Sequence, residues 1–192
     1  DSVVRLMVDQ ELVLRRARGY APLPIPFRAV AGASGVNGSV LATGAHLKNT
    51  IALAKGDHVF LSQHIGDLET EQAQRVFEPV LPDLPRLYDA SPAVVAADLH
   101  PDYVSTRAGR TAASTAGVPF VPVQHHVAHV LACMAENDLS GPVLGVAWDG
   151  TGYGTDGTGW GGEFIRVAEN SWTRLAHWRQ FRLPGGDQAV KE

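Results

Sequence analysis

The sequence predicts an α/β fold built around a sheet with parallel strands. Residues 93–99 and 119–123 are two apolar runs of the kind found in strands that are buried on both faces of a parallel sheet. Apolar residues recur at helical spacing in residues 69–88 and 124–137. Because consecutive parallel strands need a crossover connection, we expect helices on both faces of this sheet.

The first thirty residues predict two short strands followed by an extended connector. Apolar positions in residues 3–8 and 12–14 flank a polar Asp-Gln-Glu turn. Pro22, Pro24 and Pro26 then fix φ at alternate positions and disfavour helix before each proline. A stretch rich in Gly, Ala and Ser continues the connector, so we place a domain boundary near residue 35. We interpret residues 1–35 as the tail and linker of one domain and residues 36–192 as the start of the next.

The elements after this boundary follow a recognisable order. Pro79 and Pro82 should break or kink the first helix, and the second should begin after Pro101 and Asp102 and end at Gly117. The predicted elements are strands 40–43, 50–55 and 58–62, helix 69–88, strand 93–99, a helix, strand 119–123 and helix 124–137. The order βββ-α-β-α-β-α is that of a ribonuclease-H-like unit.

A second strand–loop–strand segment follows this unit. Residues 143–147 predict a strand, 148–161 a loop rich in Gly, Thr and Asp, and 162–167 a return strand. This pattern repeats the hairpin that starts at residue 40 and indicates the opening hairpin of a second lobe. Actin-like and sugar-kinase ATPases hold nucleotide phosphates between two such lobes. A single hairpin of this common type also fits a chain without a repeat.

Composition excludes several classes of protein. Of the 192 residues, 45% are hydrophobic and 19% charged, so the chain can form a core. A net charge of −4 without a dense Lys/Arg run disfavours nucleic-acid and membrane-surface binding. One cysteine excludes an internal disulfide and fits a reducing compartment. No apolar run could span a bilayer. Since the chain begins at Asp1 without Met, we expect a piece of a larger cytoplasmic protein.

His125 and His129 are candidate metal ligands. They are four residues apart in a predicted helix, so both imidazoles lie on one face and can share a metal ion. Two solvent-facing histidines would show the same spacing, and His126 stands where a zinc protease has Glu. We interpret His126, which lies off this face, as structural.

Asp149 is a candidate ligand for a metal or a phosphate group. It follows a predicted strand, and Gly150 and Thr151 behind it offer backbone N–H groups and a hydroxyl. An Asp-Gly pair is also common in simple hairpin turns. The predicted loop is longer than such a turn needs, which favours a functional role.

Three further polar clusters are weaker candidates. Lys48, Asn49 and Thr50 lie in the first predicted hairpin loop, where phosphates bind in such folds. The other two clusters are the residues Asp98, His100 and Asp102 after a buried strand, and the turn that contains Gly186 and Asp187. Each cluster also fits an ordinary loop, turn or helix start.

Seven sequence blocks follow one another along the chain: GAHLKNT, LSQHIGDL, ADLHPDY, VQHHVAH, DGTGYG, WGGEF and LPGGD. Together, and in this order, they resemble the hydrogenase maturation carbamoyltransferases of the HypF family. An arginine-rich segment, RRARGYAP, resembles the end of the carbamoyl-adenylate-forming domain that precedes the actin-like domain in that family. The family usually has His where Val127 stands, between the two candidate ligands.

The resemblance implies an enzyme that activates carbamate from carbamoyl phosphate with ATP and passes the carbamoyl group to the C-terminal cysteine of a HypE-type partner protein. It implies metal ligation by His125, His129 and Asp149, together with a further carboxylate from the rest of the second lobe. It also implies a nucleotide side formed by Lys48, Asn49, Gly150, Thr151, Gly186 and Asp187. Two imidazoles and a carboxylate suit iron or zinc equally.

Other functions remain open at this point. An actin-like-fold ATPase or kinase would need a carboxylate for Mg²⁺ rather than paired histidines. An O-carbamoyltransferase would modify a hydroxyl group. A relative of the tRNA threonylcarbamoyl-transferases should carry a basic face for RNA, which a net charge of −4 disfavours.

Overall fold

A six-stranded mixed sheet and a three-stranded antiparallel sheet carry most of the secondary structure. The computed structural model describes residues 1–27, 38–169, 171–182 and 184–185. The predicted domain boundary near residue 35 lies outside these ranges. A separate hairpin, β1 (Val3–Met7) with β2 (Gln10–Arg15), confirms the two predicted N-terminal strands. The predicted connector contributes a short strand, β3 (Pro24–Pro26), to the edge of the six-stranded sheet.

The six-stranded sheet confirms the predicted ribonuclease-H-like order. Its other members are β4 (Ser39–Ala42), β5 (Ala52–Lys55), β6 (His58–Leu61), β7 (Pro92–Asp98) and β8 (Phe120–Val123). They lie in the order β3-β6-β5-β4-β7-β8. The β4–β7 and β7–β8 pairs are parallel, and the others are antiparallel. The carboxyl ends of β4, β7 and β8 therefore meet at one edge.

The helices are α1 (Glu71–Leu87), α2 (Val104–Ala116) and α3 (His125–Glu136). The first two connect strands of this sheet, and α3 leads from β8 to the second sheet. Thr70 caps α1 by accepting a hydrogen bond from the N–H of Ala73, and Gly117 ends α2 in the left-handed conformation, as predicted. Gln124 caps α3 by accepting from the N–H of Val127. Among the described residues, none of the helices has the length and apolar character that crossing a membrane requires.

The prediction that proline would break α1 is wrong. The helix runs unbroken through Pro79, Pro82 and a third interior proline. Pro79 and Pro82 lie on its exposed side, where the carbonyl groups left without an N–H partner can bond to water. Phe77 and Leu84 are buried in the core of the first lobe, and this burial stabilises the helical conformation.

The prediction that β8 is buried on both faces is also wrong. Val121 is 43% exposed, and its neighbour Pro122 is exposed as well. The reason is its place in the sheet, because β8 pairs only with β7 among the described strands. Proline is tolerated at such an edge because no neighbour needs its N–H.

The second sheet corrects the predicted glycine-rich loop. It consists of β9 (Val143–Tyr153), β10 (Gly159–Ala168) and β11 (Ser171–His177), in the order β11-β10-β9. Residues 148–153 and 159–161 thus belong to paired strands, and the connection shrinks to residues 154–158. Some glycines of the predicted loop mark close approach: a Cβ atom at Gly152 would lie 2.6 Å from His126 Cε1, and one at Gly154 would lie 2.2 Å from Trp160 Nε1.

Helix α3 packs on one face of the second sheet. Val127, Val130 and Met134 form a buried cluster with Ala147 of β9 and with apolar residues of β10. This packing brings the N-terminal turn of α3 beside the middle of β9.

Candidate metal centre

Two elements bring three potential ligands together. His125 and His129 lie one turn apart on α3, and Asp149 lies on β9 beside them. The Nε2 atom of His125 is 2.7 Å from Asp149 Oδ2 and 3.2 Å from His129 Nε2. The Nε2 atom of His129 is 3.4 Å from the same carboxylate oxygen. One ligand atom from each side chain therefore falls within 4.8 Å of the other two, which is a geometry that a single metal ion can bridge.

A second carboxylate stands behind His125. Oδ2 of Asp98, at the end of β7, lies 2.8 Å from His125 Nδ1. Because a carboxylate only accepts hydrogen bonds, Nδ1 donates to it. Nε2 faces His129 and Asp149, and a metal ion bound there would replace the proton that Nε2 shares with Asp149.

The charges of the cluster favour a cation. The hydrogen bond to Asp98 raises the pKa of His125 most strongly, burial opposes this rise, and Asp149 supports it. Burial acts to raise the pKa of Asp149, but the N–H of Gly150 and the imidazole of His125 outweigh it, so this pKa lies below its usual value. Asp149 is therefore an anion at neutral pH, as a metal ligand must be.

His126 is fully buried, as its interpretation as a structural residue requires. Its Nδ1 atom is 3.2 Å from the side-chain nitrogen of Gln124, which itself donates to the carbonyl of Tyr153. Burial lowers the pKa of His126 and keeps its ring neutral. This contact joins the start of α3 to the end of β9.

A buried ion pair fixes the hairpin that carries Asp149. The guanidinium group of Arg174 lies 2.5 Å from Glu163 Oε2 and stacks 4.0 Å above the ring of Trp160. Asp156, in the hairpin turn, accepts hydrogen bonds from Thr158 and from Trp160 Nε1. The bonds from Thr158 lower the pKa of Asp156 to about 2. These contacts hold β9, β10 and β11 in register at the site.

The predicted nucleotide residues fall in two places. Lys48 and Asn49 lie in the loop after β4; Lys48 is exposed with φ 50°, whereas Asn49 is buried and donates to the carbonyls of Thr43 and Ala45. The amide hydrogens of Asn49 therefore shape the loop. Gly150 and Thr151 lie on β9 and line a groove of about 600 Å³ beside Asp149. Gly186 and Asp187 lie outside the described residues.

Asp98 belongs to a cluster that the sequence offered as a weaker candidate, and the structure shows that only this member of the cluster contacts a candidate ligand. Asp98 bonds to His125, while the exposed Asp102 uses its backbone N–H to donate to His100 Nδ1. The topology could have indicated the contact between Asp98 and His125. Asp98 ends β7, and His125 starts α3 directly after the parallel neighbour β8, so both lie at the same edge of the sheet. Gly152 gave no such signal; its importance appears only in the structure, where its backbone contacts the first turn of α3.

Comparison with known proteins identifies the family. The profile of the "HypF Kae1-like domain" matches residues 36–136, and that of the "Carbamoyltransferase, Kae1-like Domain, second subdomain" matches residues 145–192. The chain is 47% identical over its full length to the carbamoyltransferase HypF of Synechocystis sp. and 46% identical to that of Rhizobium leguminosarum bv. viciae. It is 31% identical to a probable carbamoyltransferase HypF of Methanocaldococcus jannaschii.

Solved structures agree with these matches. A full-length HypF in a phosphate- and nucleotide-bound form is similar over 99% of this chain, with a TM-score of 0.88 and 41% identity. HypF of T. kodakarensis is similar over 99% of the chain, with a TM-score of 0.85 and 36% identity. The chain spans about a quarter of the length of these proteins (24% in each case) and of the two bacterial relatives. By sequence profile, overall identity and fold, the chain belongs to the HypF carbamoyltransferase family.

Proposed function

We propose that this chain carries the metal-dependent transferase site of a carbamoyltransferase that uses ATP and carbamoyl phosphate. In this proposal a carbamoyl-adenylate donates its carbamoyl group to the C-terminal cysteine thiol of a HypE-type partner. The observation that carries the proposal is the convergence of His125, His129 and Asp149 at the junction of α3 and β9. The names of the relatives support carbamoyl transfer as the general reaction.

The donor set fits a divalent transition metal. Two imidazole nitrogens and one carboxylate oxygen suit iron or zinc, and three protein ligands leave positions open for substrate. When bound there, such an ion would polarise the carbonyl oxygen of the carbamoyl donor.

The protein groups orient the reactants and supply negative charge. The N–H of Gly150 donates to Asp149 Oδ1 at 2.7 Å, which leaves Oδ2 directed at the two histidines. The side chain of His129 is more than half exposed, so a donor and an acceptor thiol can reach this side of the cluster. In the proposed step the thiolate sulfur attacks the carbamoyl carbon, the C–S bond forms, and the C–O bond to AMP breaks with its electron pair leaving on AMP. The thiol proton passes to water.

We also propose that nucleotide binds beside this site. The residues proposed to contact it are Lys48, Asn49, Gly150, Thr151, Gly186 and Asp187. The support for this proposal is the groove beside Asp149 that Gly150 and Thr151 line. A solved relative also carries phosphate and nucleotide.

The acceptor can be identified directly. In the full-length protein, incubated with a HypE-type partner, ATP and carbamoyl phosphate, we expect carbamoylation of the partner's C-terminal cysteine. Mass spectrometry of the C-terminal peptide measures it, and omission of ATP or of carbamoyl phosphate is the control. Modification of a sugar hydroxyl or of tRNA adenosine, with the thiol untouched, would contradict the proposal in favour of an O-carbamoyltransferase or a tRNA-modifying enzyme.

The nucleotide assignment predicts the effect of a double variant. Replacing Lys48 and Thr151 by alanine should weaken nucleotide binding at this domain by roughly a hundredfold or more, since each of the two hydrogen bonds to a charged phosphate is worth about 1.5–3 kcal/mol. Carbamoyl-adenylate formation in the preceding domain should persist. Calorimetric titration with a non-hydrolysable ATP analogue measures the loss.

A matched double variant, Lys55→Ala with Thr155→Ala, changes the same residue types outside the predicted site. Both residues are exposed, and we expect it to bind nucleotide normally. Unchanged binding and transfer kinetics in the Lys48 and Thr151 variant would make both residues ordinary surface residues.

A further inference from the structure

We infer that Asp98 is a positioning residue for the metal centre, which holds His125 so that its Nε2 atom is presented to the cation. This inference rests on the proposed function for the presence of a metal ion, but not for the identity of the substrate or the acceptor. Asp98 contacts neither of the other two ligands in the described structure; its effect passes through His125.

Asp98 is fixed in place from several sides. Its side chain is only 4% exposed. Oδ1 accepts a hydrogen bond from the N–H of His100 at 2.8 Å, and Oδ2 faces His125 Nδ1 at the same distance. Its backbone carbonyl accepts from the hydroxyl of Thr106 at 3.0 Å. A buried carboxylate with both oxygens bonded cannot turn away without leaving a polar group unsatisfied.

This anchor determines what His125 can do. An imidazole at the start of a helix has several side-chain rotamers and two neutral tautomers, and only some of them present a lone pair to the site. The bond to Asp98 keeps the proton on Nδ1 and directs Nε2 toward Asp149 and His129. A carboxylate behind a ligating histidine also makes that histidine a stronger electron donor to the metal.

The two histidines of the cluster therefore differ in kind. The side chain of His125 is 20% exposed and bridges two carboxylates, whereas that of His129 is 57% exposed. The contacts described for the His129 ring are with His125 and Asp149, both within the cluster. We expect the side chain of His125 to be in the ligating orientation before the metal binds, and the side chain of His129 to complete the coordination when it does.

Metal titration of the full-length protein tests this inference. The variants are Asp98→Ala, Asp98→Asn and the control Asp102→Ala, an exposed carboxylate four residues away. Dissociation constants for Zn²⁺ and Co²⁺ are measured by competition with a chromophoric chelator, and the visible absorption of bound Co²⁺ reports ligand geometry. Asp98→Ala should weaken metal binding by roughly 10- to 100-fold and alter the Co²⁺ spectrum. The control should match the unsubstituted protein in both measurements.

Asp98→Asn separates positioning from simple loss of structure. The amide oxygen can still accept from His125 Nδ1, but the amide nitrogen then meets the N–H of His100. We therefore expect an intermediate metal affinity and a Co²⁺ spectrum closer to that of the unsubstituted protein. If Asp98→Ala does not fold, Asp98→Asn decides alone. Weakened metal binding in that variant then supports the inference, and unchanged binding overturns it.

Unchanged affinity and spectrum in both Asp98 variants would overturn the inference, as would equal weakening in Asp102→Ala. A failure of the proposed function looks different. In that case the unsubstituted protein binds metal without carbamoylating a thiol, and the Asp98 variants still show whether the residue positions His125.

Discussion

We expect the full-length protein to retain a metal ion on purification. Replacing His129 with alanine is expected to abolish both this retention and carbamoyl transfer. His129 supplies one of the three ligand atoms that converge at the junction of α3 and β9. A site that has lost one of its ligands binds a divalent ion more weakly and releases it faster. Formation of carbamoyl-adenylate should continue, because that reaction is expected in the preceding domain. Elemental analysis of the purified variant and an adenylation assay measure the two effects.

His58→Ala is a suitable control, since it removes an imidazole from β6 in the first sheet. We expect it to retain metal and transfer activity. Full metal retention in His129→Ala would refute the ligand assignment, whatever the effect on transfer. Loss of adenylation together with loss of metal would show that the variant disturbs more than this site.

Replacing Gly152 with alanine should reduce both the stability of the protein and its affinity for metal. A Cβ atom there would lie 2.6 Å from His126 Cε1 and 3.0 Å from His125 Cβ. Those histidines open α3, so either β9 or the first turn of the helix must move. Such overpacking costs about 1–3 kcal/mol of stability, and it displaces His125 from Asp149. We expect a lower melting temperature and a loss of metal affinity of tenfold or more.

Gly159→Ala provides the matched control on the same hairpin. No atom approaches within 4 Å of a Cβ at Gly159, and its φ is not positive. This variant should keep the melting temperature and metal affinity of the unsubstituted protein. Thermal unfolding and chelator competition on both variants test the close packing of α3 on β9. Equal behaviour of the two glycine variants would contradict that packing.

The order of elements could be predicted because apolar periodicity and helix-stop signals act locally. Gly117 ends α2 in the left-handed conformation at the residue that the sequence indicated. The break expected at Pro79 and Pro82 did not occur, because contacts made elsewhere along α1 stabilise the helix. Sequence periodicity does not show whether the carbonyl groups that lose their N–H partner to a proline lie on the exposed face of a helix, where water can bond to them.

The candidate ligands were found for a similar reason. The spacing of His125 and His129 is a property of one helix, and the structure confirms that they share a face. The surroundings of Asp149 were misread as a loop, since glycine in a sequence looks the same in a turn and at a close strand–helix contact. The bond from Asp98 to His125 joins residues 27 positions apart and depends on the tertiary fold.

The close contact between α3 and β9 also limits how the protein can move. Val130 fills the space that a side chain at Gly145 would need, with its methyl carbons 2.4 Å from the position of a Cβ there. Helix and strand are therefore interlocked, and we expect them to move together. A hinge motion that opens or closes a substrate cleft must bend the chain elsewhere. The distances among His125, His129 and Asp149 should then stay constant through each turnover, while only the surfaces around them change position.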